Sequence, residues 1–325
     1  MVSDKNSVDW NGEADTAVCP ICGSPETALV IPHTQDHITG DAFQIVRCKT
    51  CLVAFTFPQP SSFDRFYPDL YRGYTSITKF LLRTLYRLRV RKWLKMFVEP
   101  GSVLEVGCGP GFMLDVFRKN GWKVLGTERT VIASKYAREH LGLPVILGGI
   151  EQVSDESRFD LVVMFQVLEH MQQPLNTLKE CARRLKPGGI LLVNVPNFSS
   201  WQSEFGGALW VHLDAPRHLF HFTPRSLAGL LEVVGMEVCH VQFTSVAHDP
   251  YGWAQTIVNK FTRPFNLLTR YLMGMEKLTI KVVFSLLLCI VLMPASILLA
   301  LASWVFQKGA VMEVTALRPK MKAMS

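Results

Sequence analysis

Glu105-Val106-Gly107-Cys108-Gly109-Pro110-Gly111 follows the apolar pair Val103-Leu104, and Phe112-Met113-Leu114-Asp115-Val116-Phe117 opens a helical pattern behind it. An acid at a strand end, three glycines alternating with other residues, and then a helix make a loop that lets a ligand touch bare backbone. Glycine accepts the turn geometry and has no side chain to hold the ligand away.

Outward from this loop, strand and helix alternate. Strands are expected at 102–106, 123–127, 145–147, 161–165 and 190–195, with helical patterns between them. The expected fold is α/β, a doubly wound Rossmann-like sheet with its ligand at the carboxyl ends of the strands. The second strand ends in Gly126-Thr127-Glu128, and a carboxylate there can accept both hydroxyls of a ribose. A dinucleotide site uses the same logic, so Glu128 alone does not discriminate. Three details do. The third glycine of G-x-G-x-x-G would fall at Phe112; Glu105 precedes the loop, where a pyrophosphate would be repelled; Lys186-Pro187-Gly188-Gly189 makes a tight turn before the fifth strand.

Together these features resemble class I S-adenosylmethionine-dependent methyltransferases, over about residues 100–243. The resemblance implies S-adenosyl-L-methionine as cofactor. It implies that Gly107, Gly109 and Gly111 approach the methionine part, that Glu105 supports the loop and the amino group, and that Glu128 holds the ribose. Gly149-Ile150-Glu151 stands where the family contacts adenine, without the Asp often found there. Leu168-Glu169-His170, after the fourth strand, looks like a subgroup acting on small molecules. Gln166 would face the methionine part. His170 either serves as a general base or orders its loop by hydrogen bonding.

The segment after the fifth strand is rich in aromatics and histidine. Its pattern W-x-H-x-D-x-P-R-H-x-x-H-F, from Trp210 to Phe222, resembles enzymes of glycan and secondary-metabolite pathways. His212, His218 and His221, with Arg217, are candidates to supply a base or bind an anionic acceptor. A metal set of His212, Asp214, His218 and His221 and plain loop packing are the alternatives. Thr223-Pro224 reads as the cap and first residue of a helix through Val234.

Cys19-Pro20-Ile21-Cys22 and Cys48-Lys49-Thr50-Cys51 are two C-x-x-C knuckles. Four thiolates at this spacing suit tetrahedral structural zinc, with short strands at 28–31 and 43–47; a redox thiol pair is the alternative. The zinc ribbon is placed at 19–57, after a polar tail over 1–18 that reads as disordered and carries no signal peptide. Residues 58–100 read as a linker and a basic amphipathic helix. Lys79, Arg83, Arg87, Arg89, Arg91, Lys92 and Lys95 lie there without an acid among them. This helix packs on the next domain or also touches anionic lipid or nucleic acid.

Residues 282–306 are uncharged and long enough to span a bilayer, with Pro294 at the centre. Class I sheets, however, close with an antiparallel pair, and 237–243 and 311–317 fit its two strands. The methyltransferase domain is therefore expected at 101–243 plus 310–318, with 244–309 as a membrane-associated insertion whose two ends return to one sheet. The favoured topology is two half-helices broken at Pro294, a monotopic hairpin on the cytoplasmic face. A single-pass span and a buried helix pair are the alternatives.

With 325 residues, 49% hydrophobic content and a formal charge of +7, the chain can bury a substantial core and is drawn to anionic surfaces. The leading expectation is a methyltransferase at the cytoplasmic membrane face, acting on a small-molecule, lipid-linked or glycan acceptor. An RNA methyltransferase is the runner-up. The apolar segment and the sequence Phe165-Gln166-Val167-Leu168, where an amine-methylation motif would stand, count against nucleic acid. A non-catalytic membrane scaffold is the third reading.

Overall fold

The computed structural model describes residues 17–67 and 76–320. The tail expected at 1–18 lies outside the described residues except for its last two. Residues 68–75 of the expected linker likewise lie outside the described residues.

Three N-terminal strands, β1 (Thr27–Gln35), β2 (Ala42–Cys48) and β3 (Ala54–Phe57), form an antiparallel meander. Alternation along β2 and β3 gives the small sheet two faces. Val46, Cys48 and Phe55 point one way, and Phe43, Ile45 and Ala54 the other. Helix α1 (Ser76–Leu94) follows.

The larger body is built by β4 (Ser102–Val106), α2 (Phe112–Lys119), β5 (Lys123–Glu128), α3 (Val131–Leu141), β6 (Val145–Leu147), β7 (Phe159–Phe165), α4 (Pro174–Arg184) and β8 (Leu185–Pro196). After β8 come α5 (Trp201–Gly206), β9 (Phe220–His221), α6 (Pro224–Val233) and β10 (Glu237–Gln242). Then follow α7 (Asp249–Asn259), α8 (Leu267–Leu272), α9 (Ile280–Val305) and β11 (Val311–Leu317).

Seven strands make one sheet in the order β10-β11-β8-β7-β4-β5-β6. The central strands are parallel, and β11 runs antiparallel to both β8 and β10. This is a Rossmann-like methyltransferase sheet. The turn Lys186–Gly189 appears as a register jump, since Phe159 faces Leu185 but Leu161 faces Ile190. Gly188 sits there at φ +80°, in the left-handed region that glycine occupies without strain.

Helices cover both faces of the sheet. Leu178 and Cys181 of α4 and Leu227, Leu230 and Leu231 of α6 pack on Leu104, Val162 and Leu191. On the opposite face α1, α2 and α3 bring Val90, Trp93, Leu114, Phe117 and Ala137 onto Val103, Leu161 and Val163. Helix α1 thus packs its apolar side on the α/β body, the first of the two readings for this basic amphipathic helix. Its basic residues divide accordingly. Arg87, Arg91, Lys92 and Lys95 are exposed, whereas Arg89 turns in and pairs with Glu313 at 2.9 Å.

The small sheet gains its fourth strand from the far end of the chain. β9 pairs with β3, and the order is β1-β2-β3-β9. The strands β3 and β9, four and two residues long, carry no readable alternation of their own, so neither is expected from sequence.

The expected break at Pro294 does not occur. Helix α9 is continuous over 26 residues, about 39 Å at 1.5 Å per residue. Proline removes one N–H from the ladder, but packing continues on both sides of it. Val282, Ser285, Cys289, Ser296, Ala300 and Ser303 form one buried stripe. Most are small, so α7 and α8 can approach closely. Trp304 Nε1 donates to the buried Asp249 carboxylate, which ties the start of α7 to the end of α9.

Candidate active site

The loop from Gly107 to Gly111 leaves the carboxyl end of β4 at the centre of the sheet, where strand order reverses. Gly107, Gly109 and Gly111 all have left-handed φ, at +69°, +54° and +78°. Their surroundings differ. A Cβ at Gly107 would meet Val167 at 2.6 Å, and one at Gly111 would meet Leu143 at 2.6 Å, whereas Gly109 faces open space. Two glycines therefore allow the loop to pack, and the middle one presents bare backbone.

Two carboxylates converge on this loop. Glu128, at the end of β5, accepts from Gly109 N at 2.8 Å and from Thr130 N at 2.7 Å. Glu105, on β4, is buried, and burial pushes its carboxyl up to about 8, against a bond from the Leu114 backbone and with a further rise from Glu128. Its Oε2 is buried without a hydrogen-bond partner among the described residues. A cationic ligand group would favour loss of its proton and pair with the resulting carboxylate, whereas an anionic group would not.

Gln166 follows β7 at φ +54°, unusual for a residue with a side chain. Its backbone N bonds Asn194 O at 2.8 Å, and its Nε2 bonds Asn194 Oδ1 at 2.9 Å. The neighbouring β8 strand end thus holds Gln166 in that pose, a role for Asn194 that only the pairing of β7 with β8 makes visible. Gly149 follows β6. Gly148 N bonds Glu128 O at 2.9 Å, and Gly149 N bonds Gln152 Oε1 at 2.6 Å, so this turn lies against the Glu128 strand end. Arg83 of α1 lies 4.4 Å over the Phe112 ring and donates to Tyr136 Oη at 3.0 Å. The sequence has no mark that separates Arg83 from its exposed basic neighbours.

The histidines sort into separate settings. His170 and His218 come together, with ring centroids 4.6 Å apart. His170 Nδ1 lies 2.9 Å from Arg217 O, which can only accept, so Nδ1 carries the proton and Nε2 is the basic nitrogen. By the same argument His218 donates from Nδ1 to His212 O at 2.8 Å. Tyr67 Oη approaches His170 Nδ1 at 3.3 Å.

His212 and His221 neighbour His218 but have other ring partners. His221 Nε2 bonds Thr56 Oγ1 at 3.0 Å, and burial lowers the imidazole to about 3. His212 packs beside Trp210 and His248, and burial lowers it to about 4. Of the three candidates to supply a base or bind an anionic acceptor, His212 and His221 thus have ring partners other than His170. His218 alone of the three stands against His170; His221 lies on β9 against Thr56, and His212 packs beside Trp210 and His248.

The set His212, Asp214, His218 and His221 likewise does not converge as a metal site. Among the described residues the histidine-carboxylate group that does is Glu169, His170 and His218, with ligand atoms within 4.8 Å of one another. Arg217 is fully buried between Asp36 and Asp214, at 2.7 and 2.6 Å, and is not directed at an anionic acceptor.

In the N-terminal module Cys19 Sγ lies 3.6 Å from Cys51 Sγ, and Cys22 Sγ lies 3.5 Å from Cys48 Sγ. All four sulfurs fall within 4.8 Å of one another. Tetrahedral zinc with bonds near 2.3 Å sets its sulfurs about 3.8 Å apart, so the residues fit that ion.

A family model described as a methyltransferase domain matches residues 77–241, just over half of the chain. A ubiquinone biosynthesis O-methyltransferase of Histophilus somni (strain 2336) is 30% identical over 123 residues, 34% of this chain and 52% of that protein. One of the same name from Maricaulis maris (strain MCS10) is 32% identical over 149 residues, 42% of this chain and 59% of that protein. The chain thus spans little more than half the length of these relatives. A SAM-dependent methyltransferase from Archaeoglobus fulgidus aligns with a TM-score of 0.47 and 18% identity, covering 72% of this chain and 94% of that one.

Proposed function

This chain belongs to the methyltransferase-domain family, and from that premise we propose that it transfers a methyl group from S-adenosyl-L-methionine to a hydroxyl acceptor at a membrane surface. The observation that carries the cofactor is the pairing of an open Gly109 backbone with two carboxylates, Glu105 and Glu128. When bound, the cofactor supplies an electrophilic methyl on sulfur. In this reading Glu128 holds the ribose hydroxyls and Glu105 the amino group. Gly107, Gly109 and Gly111 approach the methionine part, Gln166 faces it, and Gly149 lies toward the base. Transfer to such a methyl depends mostly on alignment. A hydroxyl acceptor also needs its proton removed, and in this reading His170 Nε2 takes it, with the His218 ring packed against the His170 ring. The relatives named O-methyltransferases support an oxygen acceptor.

The four cysteines hold a structural zinc, on the strength of the sulfur spacing and of Cys51 N donating to Cys48 Sγ at 3.4 Å. Helix α9 supports the membrane surface. Its outward face carries Phe284, Leu287, Ile290, Val291, Leu298 and Val305, all exposed. Its other face is clamped by α7 and α8, and Arg270 of α8 reaches His37 O of the small sheet at 2.8 Å. With protein along one face, α9 in this reading lies in the plane of one leaflet, with Lys281 in its first turn and Lys277 and Lys308 flanking it toward anionic headgroups.

Incubating the protein with methyl-labelled cofactor and separated membrane lipids, glycans and RNA tests this. Label is expected in the lipid or glycan fraction, and lost with Glu128→Ala. Label in RNA would support the nucleic-acid reading instead.

A further inference from the structure

The small sheet does more than border the site. Thr56, in the middle of β3, is fully buried and makes three contacts with the segment that carries the histidines. Its backbone N donates to Leu219 O at 2.9 Å. Its hydroxyl donates to His218 O at 2.7 Å and lies 3.0 Å from His221 Nε2.

These distances determine the protons. A carbonyl only accepts, so the single hydroxyl proton of Thr56 is committed to His218 O. Oγ1 must then accept from His221, which places the imidazole proton on Nε2. The Phe198 ring, 5.2 Å away, packs on the same imidazole. Burial keeps His221 neutral near physiological pH, so its tautomer is set by this one partner.

The path continues to the proposed base. Leu219 N donates to Glu169 O at 2.8 Å, one residue before His170, and the His218 ring stands against the His170 ring at 73°. Upstream, Cys48 N bonds Val53 O at 3.0 Å, so β3 begins on the second cysteine knuckle.

We propose that Thr56 is a positioning residue for methyl transfer, whose hydroxyl sets the pose of His218 and the tautomer of His221 and thereby the geometry of the His170–His218 pair. This rests on reading that pair as the proton acceptor. Valine is nearly the same size as threonine but carries no hydroxyl. Thr56→Val leaves the β3–β9 backbone bonds in place and strands two buried polar atoms, His218 O and His221 Nε2.

Histidine-selective nitrogen NMR of the intact, zinc-loaded protein is the test, on wild type, Thr56→Val, Thr56→Ala and Thr56→Ser. Wild type and Thr56→Ser are expected to show His221 protonated at Nε2. In Thr56→Val the tautomer becomes mixed, and the titration midpoints of His170 and His218 move by about half a unit or more. Thr56→Ala gives the same result should the valine variant fold poorly. Hydrogen exchange at the backbone amide of residue 56, which donates to Leu219 O, stays slow in every variant, because the β3–β9 backbone bonds persist. A His221 tautomer and His170 and His218 titrations in Thr56→Val that match wild type would overturn the proposal. S-adenosylhomocysteine, added as a probe, binds all four proteins within about twofold; failure to bind wild type would count against the methyltransferase reading and leave the assignment of Thr56 to the NMR result.

Discussion

Arg217 Nη2 lies 2.7 Å from Asp36 Oδ1, and both side chains are shielded from solvent. The guanidinium also meets Asp214 Oδ1 at 2.6 Å, His37 Nδ1 at 2.9 Å and Phe66 O at 3.2 Å. Burial alone would raise the Asp214 carboxyl, but Arg217 and then His37 hold it below its ordinary value. One cation thus joins the tip of the β1–β2 hairpin to the segment between β8 and β9. Removing a member leaves charges buried without balance, so Asp36→Asn should cost about 3 kcal/mol or more in urea unfolding. A loss below about 0.5 kcal/mol would show that the cluster is not a structural joint.

Glu105 predicts an unusual dependence on pH. Its folded-state value, about 8, lies above its ordinary value of 4.5. The folded ligand-free protein therefore keeps a proton that the unfolded chain has released. That contribution is complete below about pH 4.5 and is lost as pH rises through about 8. Thermal unfolding of wild type should lose stability relative to Glu105→Gln across this window, and the two should converge in acid. If Glu105 pairs with the cofactor's amino group, wild type should also release a proton on binding at pH 7. Calorimetry in buffers of different ionisation enthalpy measures that release.

The sulfur spacing predicts one zinc per chain by metal analysis. The core of the small sheet is continuous with that of the large one, through Cys48, Phe55, Leu219 and Phe222. Cys48→Ser should therefore lose the metal and lower Tm by about 10 °C or more. Full metal binding without Cys48 would contradict the site.

Much of the α/β body was legible because its cues are local. The loop at 107–111, strands ending in Glu128 and Phe165, and the Thr223-Pro224 cap each need only a few neighbouring residues. Thr223 does accept from Ser226 N at 3.2 Å, as a cap should. The alternating run 311–317 was legible only together with the sheet order that demanded a seventh strand. What sequence did not disclose is which distant groups meet. Phe220-His221 pairs with β3 across more than 160 residues, and Arg83 and Arg89 turn inward beside basic neighbours that do not. The three histidines after β8 were grouped because they are close along the chain, yet only His218 meets His170. Pro294 reads as a break because its missing N–H is a local cost, whereas the small-residue stripe that sustains α9 is a matter of packing.

An in-plane α9 makes two further outcomes testable together. Val291→Glu and Leu298→Glu alter exposed positions and should leave folding intact, while each weakens binding to anionic vesicles about tenfold or more. Single cysteines introduced at Lys277 and Lys308, which flank the helix, should be modified from the same side of a sealed vesicle. Modification from opposite sides would establish a span.

In the proposed function the loop between Glu105 and Gly111, with Glu128, holds S-adenosyl-L-methionine. Titration calorimetry with the purified protein tests it most directly. One site per chain is expected, taking this cofactor and its demethylated product but not NAD. Glu128→Ala should weaken binding by about 100-fold, close to the 3 kcal/mol expected for lost hydrogen bonds to a charged group. No heat with the cofactor, or unchanged affinity in Glu128→Ala, would contradict it.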